Sequence, residues 1–225
     1  VHISVKNHLH GLDNEHAHIR KQVTFDKAKN GFMVADPLTL YDCCPTSDGA
    51  SCVILAADHV VKQFTDDPVW IKASAAASDY LALHDRPSIT QLLATQLAGK
   101  QAYEMAGVTA DKVDIAEVHD CFTIAELFAT EDLGFVERGL GGLFARESRG
   151  MRNSGEVCIN PSGGLKSKGH PLGATGTGQT VEIFKQLRNE VEKNRQVRDA
   201  ELALSHNVGG SGATCAVHLY GRSRQ

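Results

Sequence analysis

Asn160-Pro-Ser-Gly-Gly-Leu-Lys-Ser-Lys-Gly-His170-Pro-Leu-Gly-Ala-Thr-Gly-Thr-Gly178 fixes the reading of the whole chain. Its glycines, with Pro161 and Pro171, let neither a strand nor an ordinary helix run through the first half. Beyond Gly173 the chain becomes Ala174-Thr-Gly-Thr-Gly and then Gln179, Val181, Ile183, Phe184 and Leu187, a helix entered through small residues. Such an entrance lets neighbours pack on every side and turns free N–H groups toward His170. The spacing therefore predicts a buried helix aimed at a site. A structural turn holding one satisfied histidine is the competing reading. Nucleotide binding is not read here, because no Gly-Lys-Ser/Thr follows the glycines.

Two more polar segments adjoin predicted strands. Val113–Val118 alternates as a strand and delivers the chain to His119-Asp-Cys-Phe122, with a helix over 123–133 closed by Gly134. Leu202–Ser205 leads to His206-Asn-Val-Gly-Gly-Ser-Gly212, and Ala213–Tyr220 is a closing strand. In open α/β sheets ligands gather at loops off the strand ends, so the three segments are expected to converge.

The rest of the chain supplies the frame. Residues 1–40 carry five histidines (His2, His8, His10, His16 and His18) without a spacing that completes a metal site, and read as a solvated connection. Ser51–Ala56 reads as a buried strand, Asp58–Phe64 as a short helix and Asp66-Asp-Pro68 as a linker. Val69–Ser78 is another strand. Ser88 and Gln91 form a capping-box pattern opening a helix that places Ile89, Leu92, Leu93 and Leu97 on one side and ends near Gly107. Residues 139–155 read as a loop. This alternation predicts an α/β fold, a mixed sheet with helices on both faces.

Length, 42% hydrophobic content and 22% charged content are those of a soluble globular chain, and no apolar run is long enough for a membrane span. The net charge of −4 offers no nucleic-acid footprint. The cysteines (Cys43, Cys44, Cys52, Cys121, Cys158 and Cys215) lack the density of a secreted scaffold and read as free thiols. No signal peptide or peroxisomal address is read, so the cytoplasm is the expected compartment.

Four motifs together carry a resemblance: Cys43-Cys-Pro-Thr-Ser-Asp-Gly-Ala50, Glu117-Val-His-Asp-Cys-Phe122, the stretch from Asn160 to Gly176, and His206-Asn-Val-Gly-Gly-Ser-Gly212. The chain resembles the C-terminal part of a thiolase, in the subfamily of sterol-carrier-protein thiolases and archaeal acetyl-CoA acetyltransferases. The likeness runs from about Val5 to Tyr220. It implies half of a layered αβαβα arrangement. Residues 1–40 would be the remnant of a CoA-binding loop region, 41–67 the last strand and helix of an N-terminal half-domain, and 68–225 the C-terminal half-domain.

The resemblance also implies roles. His170 would donate through Nε2 to a thioester oxygen as an enolate forms, and His119 would hold a water giving the second hydrogen bond. Cys121 would be the acid/base thiol, because Asn207-Val-Gly209 stands where most thiolases have Cys-x-Gly; a thiol shuttles protons well if neighbours lower its pKa modestly. Gly209 would lend a backbone N–H to a second oxyanion hole, with Asn207 and Gly173 beside the substrate. Asp120 reads as structural and His206 as a cap; no metal is expected. Acyl-CoA and CoA would be substrates, with no cofactor. A homo-oligomer and an OB-fold acyl-CoA-binding partner are further implications.

No Cys-x-Ser, the thiolase nucleophile segment, occurs in these 225 residues. The missing N-terminal half is therefore an expected partner, and the isolated chain is expected to be inactive. A thiolase-like steroid side-chain aldolase is the alternative, disfavoured by histidines where tyrosines belong. A non-catalytic acyl-CoA-binding subunit is another.

Overall fold

A computed structural model describes residues 1–224. Its centre is a five-stranded mixed sheet of order β3-β7-β6-β4-β5. The strands are β3 (Trp70–Ser78), β4 (Ile115–Glu117), β5 (Cys158–Ile159), β6 (Leu202–Gly209) and β7 (Thr214–Gly221). β7 runs antiparallel to both β3 and β6, whereas β4 runs parallel to β6 and β5. The parallel half needs crossovers, and helices supply them. A two-stranded ribbon, β1 (Met33–Ala35) and β2 (Leu38–Thr39), stands apart.

Helices cover both faces, as the alternation of elements predicts. On one face α3 (Leu93–Ala106) and α4 (Thr123–Asp132) close a core with Ala73, Ala75, Leu204, Val217 and Leu219. On the other, α7 (Thr175–Leu187) buries Ile183 and Leu187 against Ile115, Ala203 and Tyr220. The face of α3 differs from expectation. Ala94, Ala98 and Ala102 meet the sheet, while Leu97 and Ile89 are 40% and 72% exposed. Alanines facing Ala73 and Ala75 let helix and sheet approach closely, which leucines would prevent. The capping box at Ser88 does not form either: Ser88 Oγ pairs with Thr90, and the Leu92 N–H donates to Asp132 at 2.7 Å. Residues 139–155, read as a loop, include α5 (Gly141–Arg146).

The largest departure is the N-terminus. Instead of a solvated connection, α1 (His2–Gly11) lies along the β5 edge with Ser4, Lys6, Asn7, His8 and His10 buried, followed by the short α2 (Phe25–Lys29). Lys6 Nζ donates to Ile159 O at 2.7 Å, and His10 Nδ1 donates to Asn160 O at 3.0 Å. The inward face of α1 is polar because it meets backbone carbonyls and carboxylates. An apolar periodicity could not reveal it.

Segment 51–56, expected as a buried strand, is neither paired nor buried: Ile54 is 91% exposed and Leu55 73%. A strand needs a ladder partner, and among the described residues none lies beside it. The helix expected over 58–64 is a single turn at Val61–Gln63.

α1 touches α6 (Gly164–Ser167) backbone to backbone. Gly163 has φ +100°, and a Cβ there would lie 2.7 Å from Gly11 Cα. Gly163→Ala should therefore cost about 2–4 kcal/mol from strain plus clash. Gly142→Ala, in open space on α5, should be neutral or slightly stabilising. Urea midpoints of the two variants test the contrast, and equal stability would show that α1 does not dock as described.

Candidate active site

β4 is buried along its length and opens directly into the His119 loop. Four groups fix that loop. Val118 N–H donates to Asn160 Oδ1 at 2.8 Å, and His119 N–H donates to His206 Nδ1 at 3.4 Å. The Asp120 carboxylate accepts from Leu165 N at 2.6 Å, Lys166 N at 3.2 Å and Asn7 Nδ2 at 2.7 Å. Cys121 O accepts from Cys44 N at 2.9 Å. Asp120 thus ties the His119 loop to the turn that leads to His170.

That turn leaves β5 through Asn160 and Gly163, both with positive φ, while Glu117 at the end of β4 accepts from Ser162 N and Oγ at 3.0 and 2.7 Å. Gly169 has φ +110°, and a Cβ there would strike Ser47 Oγ at 2.7 Å. His170 then bridges to Thr46, with its N–H on Ser47 Oγ at 3.2 Å. The extended segment Cys43–Ser47 therefore pairs with both loops, through Phe122 and through His170. Cys121 and His170 consequently lie on one side of the fold.

The imidazoles of His119 and His170 meet edge to face, with centroids 4.9 Å apart and planes at 89°. Burial, reinforced by His170, pulls the His119 pKa down to about 4; burial and Lys168 lower that of His170. Both rings are neutral near pH 7. His119 Nδ1 is buried with no hydrogen-bond partner. Asn207 interacts with the His119 ring and donates from Nδ2 to Gln179 Oε1 at 3.2 Å, and Gln179 Nε2 donates to His206 O at 3.1 Å. Gln179 joins the ends of β4 and β6 to α7.

His206 is a scaffold residue. Its buried ring accepts the His119 N–H at Nδ1, and its Nε2 lies 3.0 Å from Thr95 Oγ1, with a pKa near 3 from burial and His119. The neighbours of Cys121 do not lower its pKa: burial first, then Cys44 and Asp120, push its thiol up to about 11. Gly209 sits exposed at the tip of β6, two residues beyond Asn207. Gly173 lies in the exposed turn before α7, where a Cβ would meet nothing within 4 Å, so no close contact requires glycine there. Among the described residues no three side chains of metal-ligating type converge.

Sequence reasoning missed Asn7, whose amide donates to Asp120 and to Glu126, each at 2.7 Å. It also missed Gln179 and Thr175, the latter 2.7 Å from His170 Nδ1. Position +5 from His170 was the available signal, since it falls in the first turn of the expected helix. A cleft of about 730 Å³ runs along α7 beside Ser47, Lys168, Pro171 and Thr175; His119, His170 and Cys121 are not among its lining residues. Among the described residues, no helix is long and apolar enough to cross a membrane.

Known proteins resemble this chain in sequence and in fold. The family described as "Thiolase C-terminal domain-like" matches residues 75–222. The acetyl-CoA acetyltransferase of Methanothermobacter thermautotrophicus is 50% identical over 98% of this chain and 57% of its own length. Sterol carrier protein 2 of Oryctolagus cuniculus is 40% identical over 97% of the chain and 40% of its own. The chain thus spans about half the length of these relatives or less. The solved "Ltp2-ChsH2(DUF35) aldolase" overlays with a TM-score of 0.85 at 22% identity, covering all of this chain and 58% of that one, a likeness of fold alone.

Buried groups make stability depend on pH in a stated direction. His8, His10, His119 and His206 have pKa values held below 6.5, so the unfolded chain binds more protons as pH falls. Their contribution is present above about pH 6.5 and is lost toward pH 4 and below, by up to about 1.4 kcal/mol per pH unit per group. Asp120 and Glu117 are raised by burial and oppose this over the same interval. Four groups outweigh two, so urea midpoints should fall from pH 6.5 to pH 4.5; a rise would overturn the assignment of neutral histidines. With its glycine-lined turns, paired imidazoles and sequence match over most of its length, the chain belongs to the thiolase family.

Proposed function

We propose that the chain serves acyl transfer between CoA thioesters, with formation or cleavage of a carbon–carbon bond, as part of a larger thiolase. The observation carrying this reading is the neutral His119–His170 pair, 4.9 Å apart, with Cys121 on the same loop as His119. Enolate formation places negative charge on a thioester oxygen. A neutral imidazole donor aimed there in a water-poor site is worth about 10²–10³ in rate. In this reading His170 Nε2 is that donor, and His119 holds a water supplying the second hydrogen bond. Cys121 carries the proton to or from carbon, and the backbone of Gly209, with Asn207 and Gly173 nearby, serves a second thioester oxygen. The substrates require no resident cofactor.

The nucleophilic cysteine would come from the part of the relatives' length that this chain does not span. In that assignment residues 68–225 are the C-terminal half-domain, 41–67 end the N-terminal half-domain, and 1–40 border the CoA-binding loops. The unpaired, exposed apolar run 53–55 supports it, because it has the composition of a strand awaiting a sheet. The open cleft along α7 is a second such face. An oligomer and an accessory partner of OB-fold type belong to the same proposal.

In the complete protein, Cys121→Ala should slow condensation by about 10²–10⁴, the usual worth of a positioned acid/base, while acyl-enzyme formation survives. Equal loss of both steps in rapid-quench assays would remove Cys121 from that role. His170→Ala should cost about 10²–10³ in turnover, and a near-normal rate would mean the imidazole does something else. The isolated chain should show no thiolysis of acetoacetyl-CoA.

A further inference from the structure

One hydroxyl meets the His170 ring at Nδ1. Thr175, in the first turn of α7, is 3% exposed, and its Oγ1 lies 2.7 Å from His170 Nδ1 and 3.1 Å from Pro171 O. A threonine hydroxyl has a single proton to give. Pro171 O already accepts two backbone N–H groups, from Ala174 at 2.8 Å and Thr175 at 3.0 Å. A carbonyl oxygen has two lone pairs, and both are taken. The shorter contact and the free acceptor coincide at Nδ1.

We propose that the Thr175 hydroxyl donates to His170 Nδ1 and so fixes the ring in the tautomer that carries its proton on Nε2. The consequence rests on the function proposed above. A neutral imidazole has one N–H, and which nitrogen bears it is set by the hydrogen bond the other makes. With Nδ1 accepting from Thr175, Nε2 presents a donor to the thioester oxygen. In the other tautomer Nε2 would present a lone pair to a developing oxyanion, and the interaction would change sign. Burial and the nearby Lys168 keep the ring uncharged, so no second proton masks the choice. Thr175 touches no substrate in this account; it is a positioning residue.

A tautomer is also a local property that needs no turnover to be seen.

The test uses the complete protein with Thr175→Val, which keeps the shape and removes the hydroxyl, and Thr175→Ser, which restores it. Histidine-selective ¹⁵N NMR should give His170 a pyridine-type Nδ1 that accepts a hydrogen bond and a pyrrole-type Nε2. Thr175→Val should lose the hydrogen-bonded Nδ1 signature, and Thr175→Ser should retain it. Turnover should fall about ten- to a hundredfold in Thr175→Val, with KM within about twofold, and recover in Thr175→Ser. A pyrrole-type Nδ1 in the parent protein, an unchanged spectrum in Thr175→Val, or a loss that serine does not restore would overturn the proposal. If the parent turns over no CoA thioester, the functional reading fails by itself, and the NMR arm still decides the tautomer.

Discussion

A buried carboxylate between two loops is the constraint on which the site depends. Asp120 is fully buried, yet it gathers N–H groups from Leu165, Lys166 and Asn7. Burial, with Glu126 close by, raises its pKa to about 7, while the backbone donors pull the other way. Removing one partner of a buried charged group costs about 3–5 kcal/mol, so the two loops are not independent of each other. The loop that carries His119 and Cys121 and the turn that leads to His170 are set in register by one side chain. Asn7 adds a third element, because its amide spans Asp120 and Glu126 while Lys6 lies 3.1 Å from Glu126. Helix α1 is therefore a wall of the site's foundation.

Above that foundation, the imidazoles are kept neutral by what surrounds them. Two neutral rings can sit edge to face at 4.9 Å, whereas two imidazolium ions at that distance would repel each other strongly. His206 stands behind His119 and accepts its backbone N–H only while uncharged, since a protonated ring has no acceptor. Gln179 then joins β4 and β6 to α7 through Glu117 O and His206 O. Sheet ends, helix and loops thus share one hydrogen-bonded frame. Small errors in one part of it move the others.

How much of this was legible in the sequence follows from what each residue meets. His119, His170 and Asn207 could be read because they punctuate strand ends and glycine-rich turns, where backbone demands are visible in residue type. The sheet could be read for the same reason, as Val113–Val118 and Val69–Ser78 carry period-two patterns. Helix α1 could not, because a buried face that meets carbonyls and carboxylates looks like a solvated one. The packing face of α3 was misread because alanines at close approach count for little on any hydrophobic scale, while exposed Leu97 counts for much. Segment 51–56 was read as a strand from composition that is sound, but a ladder needs a neighbour, and composition does not report neighbours.

Cys121 shows where the chain stops explaining itself. With its thiol raised to about 11, only about one molecule in ten thousand carries the thiolate at pH 7. The groups that raise it are internal: burial, Cys44 and Asp120. None of them can be relieved without opening the contact of Cys44 with Cys121 or the Asp120 tie that holds both loops. A lowering would have to come from outside this frame, through a positive field or added hydrogen-bond donors. The burial that comes with aligning the two imidazoles is thus also what holds the Cys121 thiol in its protonated form.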